Sequence, residues 1–438
     1  MQTLEQLESG QLAGCRELRL ACGLTEFPRA IFELADTLEL LDLSGNQLST
    51  LPSDLPRLHK LRVLFASDNL FTELPAVLGQ CQALSMIGFK ANRIRHVPGD
   101  ALPAGLRWLI LTDNQVEILP PEIGQCQPLQ KLMLAGNRLQ SLPVELAQCR
   151  RLELLRISAN PLAALPDGLT QLPRLSWLAF AGTPCAQAQE AQALESAPIA
   201  HLPWSQLQLG PVLGQGASGV IYSAQHHTPG HDQSQAVAVK IFKGEVTSDG
   251  LPSSEMAASI QAGAHPHLIR ALAKITDHPL DAQGLVMPLI DTEFVNLAGP
   301  PSLASCTRDI YPEGTSFDLA TVRRMAWGIA SAAAHLHAQG LMHGDLYAHN
   351  ILHNGKGQAL LGDFGAATFL PTTNPALALA LQRLEIRAFG CLLEELIERC
   401  NVAPHAQAAL NELIQLQAQC QHEDPQARPL FADIERML

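Results

Sequence analysis

The residues best suited to chemistry lie in the second half of the chain. Gly214, Gly216 and Gly219 form a G-x-G-x-x-G pattern with strand-like sequence on both sides. Because glycine has no Cβ, such a loop lets backbone N–H groups approach phosphate groups closely. A dinucleotide site would need a helix directly after the loop. The flanking strands therefore favour a flap that covers ATP.

A lysine and a glutamate follow at positions where they could form a buried pair. Lys240 ends the apolar run of residues 236–239, and Glu255 lies on a predicted helix. A charged amine inside an apolar strand is costly unless it is paired, so we expect Glu255 to be the partner of Lys240. The alternative is a surface lysine whose aliphatic stem lies along apolar surface.

Three oxygen-bearing side chains follow a predicted helix that ends at Gly340. Asp345 and Asn350 lie in the run HGDLYAHN, and Asp363 lies in the run GDFG. Carboxylate and amide oxygens are ligands that Mg²⁺ accepts in proteins. These residues stand at the spacing at which protein kinases carry a proton acceptor and two metal ligands. The resemblance implies that Asp345 is the acceptor and that Asn350 and Asp363 are ligands of Mg²⁺ or Mn²⁺.

With these motifs in order, residues 205–438 resemble a eukaryotic-type protein kinase domain. The stretch CQHEDPQARP near the end of the chain is also similar to the C-x-x-x-D-P-x-x-R-P segment of protein kinases. The resemblance implies an α+β bilobal fold, with an N-lobe at about 205–287 and a C-lobe at about 291–438. It implies transfer of the γ-phosphoryl group of ATP to Ser or Thr hydroxyls, with Asp345 and Lys240 as catalytic residues. It assigns contacts with ATP to Leu213, Gly214, Gly216, Gly219, Val220, Ala238, Lys240, Glu255, Met287 and Leu289.

The sequence departs from the kinase pattern in four places. Gly344 replaces the Arg of H-R-D, and Tyr347 stands where Ser/Thr kinases carry a lysine that steers phosphate, although His349 could supply a cation. No A-P-E lies between Gly365 and Glu385, and Glu385 replaces an Asp of the pattern. Two alternatives therefore stay open: a pseudokinase that acts as a scaffold, and a kinase for small molecules.

The first half of the chain is a repeat. The frame L-x-x-L-x-L-x-x-N-x-L recurs around Asn46, Asn69, Asn92, Asn114, Asn137 and Asn160. It resembles the leucine-rich repeat over residues 1–185, which implies an α/β solenoid with a curved parallel sheet. Residues 186–204 read as a short helical or loose linker to the second domain.

Alternation within the repeat strands predicts an apolar patch on the concave face. The patch consists of Phe65, Met86, Trp108, Ile110 and Met133. The same alternation predicts that Trp177 of the last, degenerate repeat also faces solvent. A contiguous exposed apolar patch marks an interaction site, so we expect a protein partner or substrate here. The patch could instead pack on the second half of the chain.

Composition limits the other possibilities. The 438 residues carry a formal net charge of −13, and 47% of them are hydrophobic. An acidic chain of this kind is expected to bind nucleic acid poorly. Its length is typical of two or three domains. The ten cysteines form no C-x-x-C pair, and the N-terminus lacks the features of a signal peptide. We therefore expect a cytoplasmic protein. By its repeat and kinase motifs, the whole chain resembles bacterial leucine-rich-repeat protein kinases.

Overall fold

The computed structural model describes residues 2–166, 168–196, 199–216, 218–228, 230, 233–244 and 246–438. The chain divides into two compact units, Met1–Leu175 and Ser176–Leu438. Residues 197 and 198 of the predicted linker lie outside the described residues. The domain limits predicted from the sequence, at residues 185 and 204, stay a prediction.

The first unit contains a short helix and seven parallel strands. They are α1 (Leu4–Glu8), β1 (Glu17–Arg19), β2 (Leu40–Asp42), β3 (Val63–Phe65), β4 (Met86–Gly88), β5 (Trp108–Ile110), β6 (Lys131–Met133) and β7 (Leu154–Arg156). Each strand pairs in parallel with the next strand along the chain. Short 3-10 turns, such as Ala76–Gln80 and Val144–Gln148, lie between the strands. The predicted solenoid is confirmed.

The repeated asparagines join each repeat to the one before it. Nδ2 of Asn69 donates to the carbonyl oxygen of Leu43 at 2.9 Å, and Oδ1 of Asn69 accepts from the backbone N–H of Leu48 at 2.8 Å. Asn69 is 5% exposed. A buried turn needs such partners because its backbone groups cannot reach water. The asparagine side chains thus form hydrogen bonds with backbone groups that the short strands leave unpaired.

The concave face is less exposed than alternation predicts. Met86 is only 4% exposed, whereas Phe65, Trp108, Ile110 and Met133 are half-buried. In register, Met86 lies between Val63 and Trp108. Strands pair at a spacing of about 4.8 Å, so large side chains on adjacent strands cover one another. The exposure predicted for Met86 is therefore wrong.

The second unit begins with elements that lead into a mixed sheet. They are β8 (Trp177–Ala179), α2 (Pro184–Ser196), β9 (Ala200–Pro203), β10 (Leu207–Gln215), β11 (Gly219–His227), β12 (Ser234–Phe242), α3 (Pro252–Ala262), β13 (Ala273–Thr276) and β14 (Gly284–Pro288). The sheet has the order β10-β11-β12-β14-β13-β9, and β9 pairs in parallel with β13. Residues 200–203, which the sequence assigned to the linker, therefore form an edge strand of this sheet.

The rest of the second unit contains four helices and seven short strands. Its elements are β15 (Val295–Asn296), β16 (Phe317–Asp318), α4 (Leu319–Ala338), β17 (Leu341–Met342), β18 (Ile351–His353), β19 (Ala359–Leu361), β20 (Thr368–Phe369), α5 (Pro375–Glu398), β21 (Cys400–Asn401), α6 (Gln407–Cys420) and α7 (Phe431–Met437). The Asp318 side chain caps α4 by accepting from the N–H of Thr321, and Gly340, at φ 74°, follows the end of this helix. The predicted combination of a sheet and helices is confirmed. Among the described residues, no helix has the length and apolar character needed to cross a membrane.

Candidate functional site

Lys240 and Glu255 form an ion pair inside the second unit. Lys240 lies on β12, opposite Ile221 on β11 and Leu285 on β14. Its Nζ contacts Oε1 of Glu255, which lies in the first turn of α3. The two side chains are 12% and 3% exposed. Burial raises the pKa of Glu255 and the charge of Asp363 adds to this rise, while Lys240 opposes it. The pair sets the position of α3 against the sheet.

A β-hairpin brings Asn350 and Asp363 to one end of two strands. β18 pairs with β19 in the antiparallel sense, and Ile351 lies opposite Leu361. Asn350 directly precedes β18 and Asp363 closely follows β19, so both reach the same end of the hairpin. The N–H of Gly362 donates to the carbonyl oxygen of Asn350 at 3.0 Å.

Asn350 also contacts Asp345. Its Nδ2 donates to Oδ2 of Asp345 at 2.8 Å and to the carbonyl oxygen of Asp345 at 2.9 Å. This bond orients the Asp345 carboxylate. Because the amide of Asn350 donates through nitrogen, its oxygen is the atom available for a cation.

Asp363 has an unusual backbone conformation. Its φ is 56°, in the left-handed region, and its Oδ1 accepts from the N–H of Gly365 at 3.1 Å. Residues held in this region are enriched at functional sites. The Asp363 carboxylate is exposed. A carboxylate and an amide oxygen fit Mg²⁺, which takes one or two protein ligands and completes its shell with phosphate and water. Across the described residues, no cluster of three or more His, Cys, Asp or Glu side chains could hold a metal ion.

His343 orients the loop rather than acting on a substrate. It is fully buried, and its Nε2 lies 2.9 Å from the carbonyl oxygen of Gly362. Its Nδ1 accepts from the N–H of Asp345 at 3.3 Å. A neutral imidazole with the proton on Nε2 satisfies both contacts.

Lys240, Glu255 and Asp363 line one cavity. Of the residues predicted to contact ATP or metal, Gly216, Gly219, Lys240, Glu255, Met287 and Asp363 line it. Ile221 lines the cavity in place of Val220, because Ile221 is the residue opposite Lys240 and strand alternation turns Val220 to the other face. Leu213 and Leu289 are 53% and 40% exposed and do not line it.

Sequence reasoning missed four polar residues in the cavity wall. They are Ser218, Thr247, Asp249 and Ser259. Thr247 and Asp249 lie in the loop before α3, and Ser259 lies one turn after Glu255 on the same helix. The helical spacing of four residues could have identified Ser259. The loop carries no comparable pattern.

His349 forms a second acid–base contact beside the loop. Its Nδ1 lies 2.8 Å from Oδ1 of Asp309, and its backbone N–H donates to Oδ2 of Asp309 at 2.9 Å. Burial lowers the pKa of His349, but the hydrogen bond and charge of Asp309 outweigh it, and the net pKa is raised. The charges of Asp345 and Asp363 act in the same direction. His349 can thus carry positive charge near the two aspartates.

Tyr347 is covered by β8, a strand of the second unit. The ring of Trp177 on β8 stacks on Tyr347 with centroids 4.1 Å apart and an interplanar angle of 8°. Nε1 of Trp177 donates to the carbonyl oxygen of Leu346 at 3.1 Å. Trp177 is only 1% exposed, so its predicted solvent-facing position is wrong. Alternation places this side chain on the expected face, but residues distant in sequence cover it.

Comparison with known families agrees with this arrangement. Residues 207–387 match the protein kinase domain family. Residues 37–58 and 104–162 match leucine-rich-repeat families. The chain therefore carries leucine-rich repeats followed by a protein kinase domain.

Curated relatives match this chain only in part. A rice (Oryza sativa subsp. japonica) protein described as cyclin-dependent kinase F-2 is 26% identical over 243 residues, which is 51% of this chain and 71% of the relative. Rice CBL-interacting protein kinase 22 is 30% identical over 37% of this chain and 36% of its own length. A Streptomyces coelicolor protein described as a serine/threonine-protein kinase is 27% identical over 36% of this chain and 22% of its own. A solved leucine-rich-repeat protein from Leptospira interrogans is 32% identical, covers 41% of this chain and 46% of its own, and has a TM-score of 0.38.

Proposed function

We propose that the protein transfers the γ-phosphoryl group of ATP to Ser or Thr hydroxyls of a protein, and that its repeats recruit the partner. The observation that carries the proposal is the Lys240–Glu255 pair in a cavity that Asp363 also lines. Separate elements supply these three residues, so their convergence is more informative than any single motif.

Each residue has a defined task in this reaction. Lys240, held by Glu255, binds the α- and β-phosphates, and the flap with Gly216 and Gly219 covers them. Asn350 and Asp363 would hold Mg²⁺, which neutralises charge that develops on the phosphoryl oxygens. Asp345, oriented by Asn350, accepts the proton of the attacking hydroxyl. A new O–P bond forms, the bond to the β-phosphate oxygen breaks, and ADP leaves.

The test is incubation of the full chain with labelled ATP and Mg²⁺, alone and with generic Ser/Thr peptides. Wild-type protein should label itself or a peptide, and Asp345→Asn should lower the rate at least a hundredfold, since general-base catalysis contributes about 10²–10⁴. Asp281→Asn, at an exposed loop aspartate, is the control and should keep the rate. ATP binding without any transfer would instead support a pseudokinase scaffold. Labelling of small alcohols but no peptide would support a small-molecule kinase.

A further inference from the structure

We propose that residues 176–196, which comprise β8 and α2, are a positioning element that holds α3 and the catalytic loop in their working arrangement. The catalytic loop is residues 343–350, and the activation segment is residues 366–384. The inference rests on the proposed function and adds its regulation: contacts within the chain do the work that a phosphorylated activation segment would otherwise do.

The first contact joins α2 to the start of α3. Glu190 is 8% exposed. Its Oε1 accepts from the N–H of Gly182 at 2.7 Å, and its Oε2 accepts from Oγ of Ser254 at 2.8 Å. Ser254 directly precedes Glu255, the partner of Lys240. A buried carboxylate on α2 therefore fixes the turn of α3 that carries Glu255.

Apolar contacts extend the same junction. Leu194 on α2 packs against the cluster that contains Met256 and Ile260 of α3. Nine of the eleven residues of α3 are buried. A helix that is buried on most sides needs neighbours on most sides, and α2 supplies some of them.

β8 makes the equivalent contacts with the catalytic loop and the activation segment. Trp177 stacks on Tyr347 and donates to the carbonyl oxygen of Leu346. The N–H of Phe180, the residue directly after β8, donates to Oγ1 of Thr368 at 3.3 Å, which ties the activation segment to the end of this strand. These bonds need no phosphate.

The glycine at position 344 fits this arrangement. A Cβ there would lie 2.7 Å from the carbonyl oxygen of Leu178 and 2.5 Å from that of Ala366. The backbone after Trp177 thus approaches the loop where protein kinases carry an arginine side chain. An arginine receives a phosphorylated segment through charge-assisted hydrogen bonds. In this chain, the backbone of β8 occupies that space.

The test compares two glutamates on the same helix in the full chain. Glu190→Ala removes both hydrogen bonds, whereas Glu195→Ala changes an exposed residue of α2 and is the matched control. Ser254→Ala removes the hydrogen bond to Glu190 with little change in volume. It replaces Glu190→Ala as the test variant if Glu190→Ala folds poorly. Glu190→Gln can still accept from Gly182 and contact Ser254, so it should restore most of the function. Unfolding midpoints check that each variant is folded.

We expect hydrogen exchange of α3 and the autophosphorylation rate to change in the same variants. Amide hydrogen exchange in residues 252–262 should rise at least fivefold in Glu190→Ala and Ser254→Ala, and not in Glu195→Ala. The autophosphorylation rate should fall at least tenfold in Glu190→Ala. In a Glu255→Gln background, adding Glu190→Ala should lower the rate less than twofold further, because Glu190 acts through Glu255. A residue with a merely structural role would give additive losses.

The outcomes separate this inference from the proposed function. If Asp345→Asn abolishes labelling while Glu190→Ala leaves both the rate and the exchange of residues 252–262 unchanged, the kinase assignment stands and the positioning element is refuted. If the wild-type protein transfers no phosphoryl group to any acceptor, the proposed function fails. The exchange measurement then still decides whether α2 holds α3.

Discussion

The backbone N–H of Gly344 donates a hydrogen bond of 2.6 Å to Oε1 of Glu385 on α5. Glu385 is fully buried, and its Oε2 lies 2.8 Å from Nε2 of His337 on α4. Because Asp345 follows Gly344, this carboxylate anchors the catalytic loop to two helices. Glu385 stands where the protein kinase pattern has an aspartate, and its longer side chain reaches the loop backbone.

Replacing Glu385 should weaken both folding and activity. Glu385→Ala removes one partner of a buried pair, which costs about 3–5 kcal/mol. We expect a loss of about 3 kcal/mol in urea unfolding and at least a tenfold lower rate of transfer. The control is Glu398→Ala, an exposed glutamate near the end of the same helix. Equal stability of the two variants would contradict the anchoring role.

Lowering the pH should also reduce the stability of the protein through Glu385. Burial by itself raises the pKa of Glu385, but the His337 contact and the Gly344 N–H outweigh it, and the net pKa is lowered. The ionised form therefore stabilises the fold fully above the unfolded pKa of about 4.3, and this contribution is lost as pH falls through the lower folded value. We expect Glu385→Gln to reduce the dependence of stability on pH below about pH 4.5. If the unfolding free energies of the wild type and of Glu385→Gln changed equally with pH across that range, this prediction would be wrong.

Any side chain at position 344 should lower the unfolding free energy of the protein. Its φ of +72° disfavours other residues, and a Cβ would meet two carbonyl oxygens within 2.7 Å. Gly355→Ala isolates the backbone effect, because Gly355 has φ +71° with open space around it. We expect Gly355→Ala to lose about 1 kcal/mol and Gly344→Ala to lose more than about 2 kcal/mol of unfolding free energy. Gly344→Arg should likewise destabilise the protein rather than create dependence on phosphorylation.

Removal of divalent cation should weaken nucleotide binding. In the proposed function, Asn350 and Asp363 would supply oxygens to a cation that contacts the ATP phosphates. We expect chelator to lower ATP affinity at least tenfold, or about 1.4 kcal/mol, and Asp363→Ala to have the same effect. Asp281→Ala is a matched control, since Asp281 also has a positive φ, of 52°, but does not line the cavity. Isothermal titration with and without Mg²⁺ measures this. Equal affinity in both conditions would indicate a metal-independent pseudokinase.

The apolar patch on the repeats should determine partner binding. Phe65→Asp with Trp108→Asp introduces two charges into half-buried strand positions, and charge at the centre of an interface can cost several kcal/mol. We expect loss of the protein partner in a pulldown with autophosphorylation retained. Ile118→Asp with Val144→Asp is the control, because these residues are 75% and 68% exposed outside the strands. A double variant that keeps every partner would remove this patch from consideration.

The activation segment should work without phosphate. Thr372 and Thr373 are exposed, and Gly344 has no guanidinium to receive a phosphate. A short segment also loses less conformational entropy when it orders. We expect phosphatase-treated enzyme to start at full rate, and Thr372→Ala with Thr373→Ala to change the rate less than about threefold, or roughly 0.65 kcal/mol of barrier. A lag that preincubation with ATP removes would show that another cation receives the phosphate.

Local patterns in the sequence were sufficient for much of the fold. The leucine and asparagine frame predicts the repeat strands, because each repeat contacts mainly its neighbours. The short hairpin of β18 and β19 brings Asn350 and Asp363 to one end, and Asn350 contacts Asp345. That the three act together stays a prediction. Strand alternation would also have selected Ile221 over Val220.

Tertiary structure decided what covers these elements. Alternation gives the face of Met86 and of Trp177 but not the neighbours that bury them, and the partner of Trp177, Tyr347, is far away in sequence. The contacts of Glu190 with Ser254 and of Gly344 with Glu385 likewise join segments that no periodicity relates. Residue type and local spacing set which groups are available for the proposed phosphoryl transfer. Which segment holds those groups in place depends on long-range packing, and therefore on the whole fold.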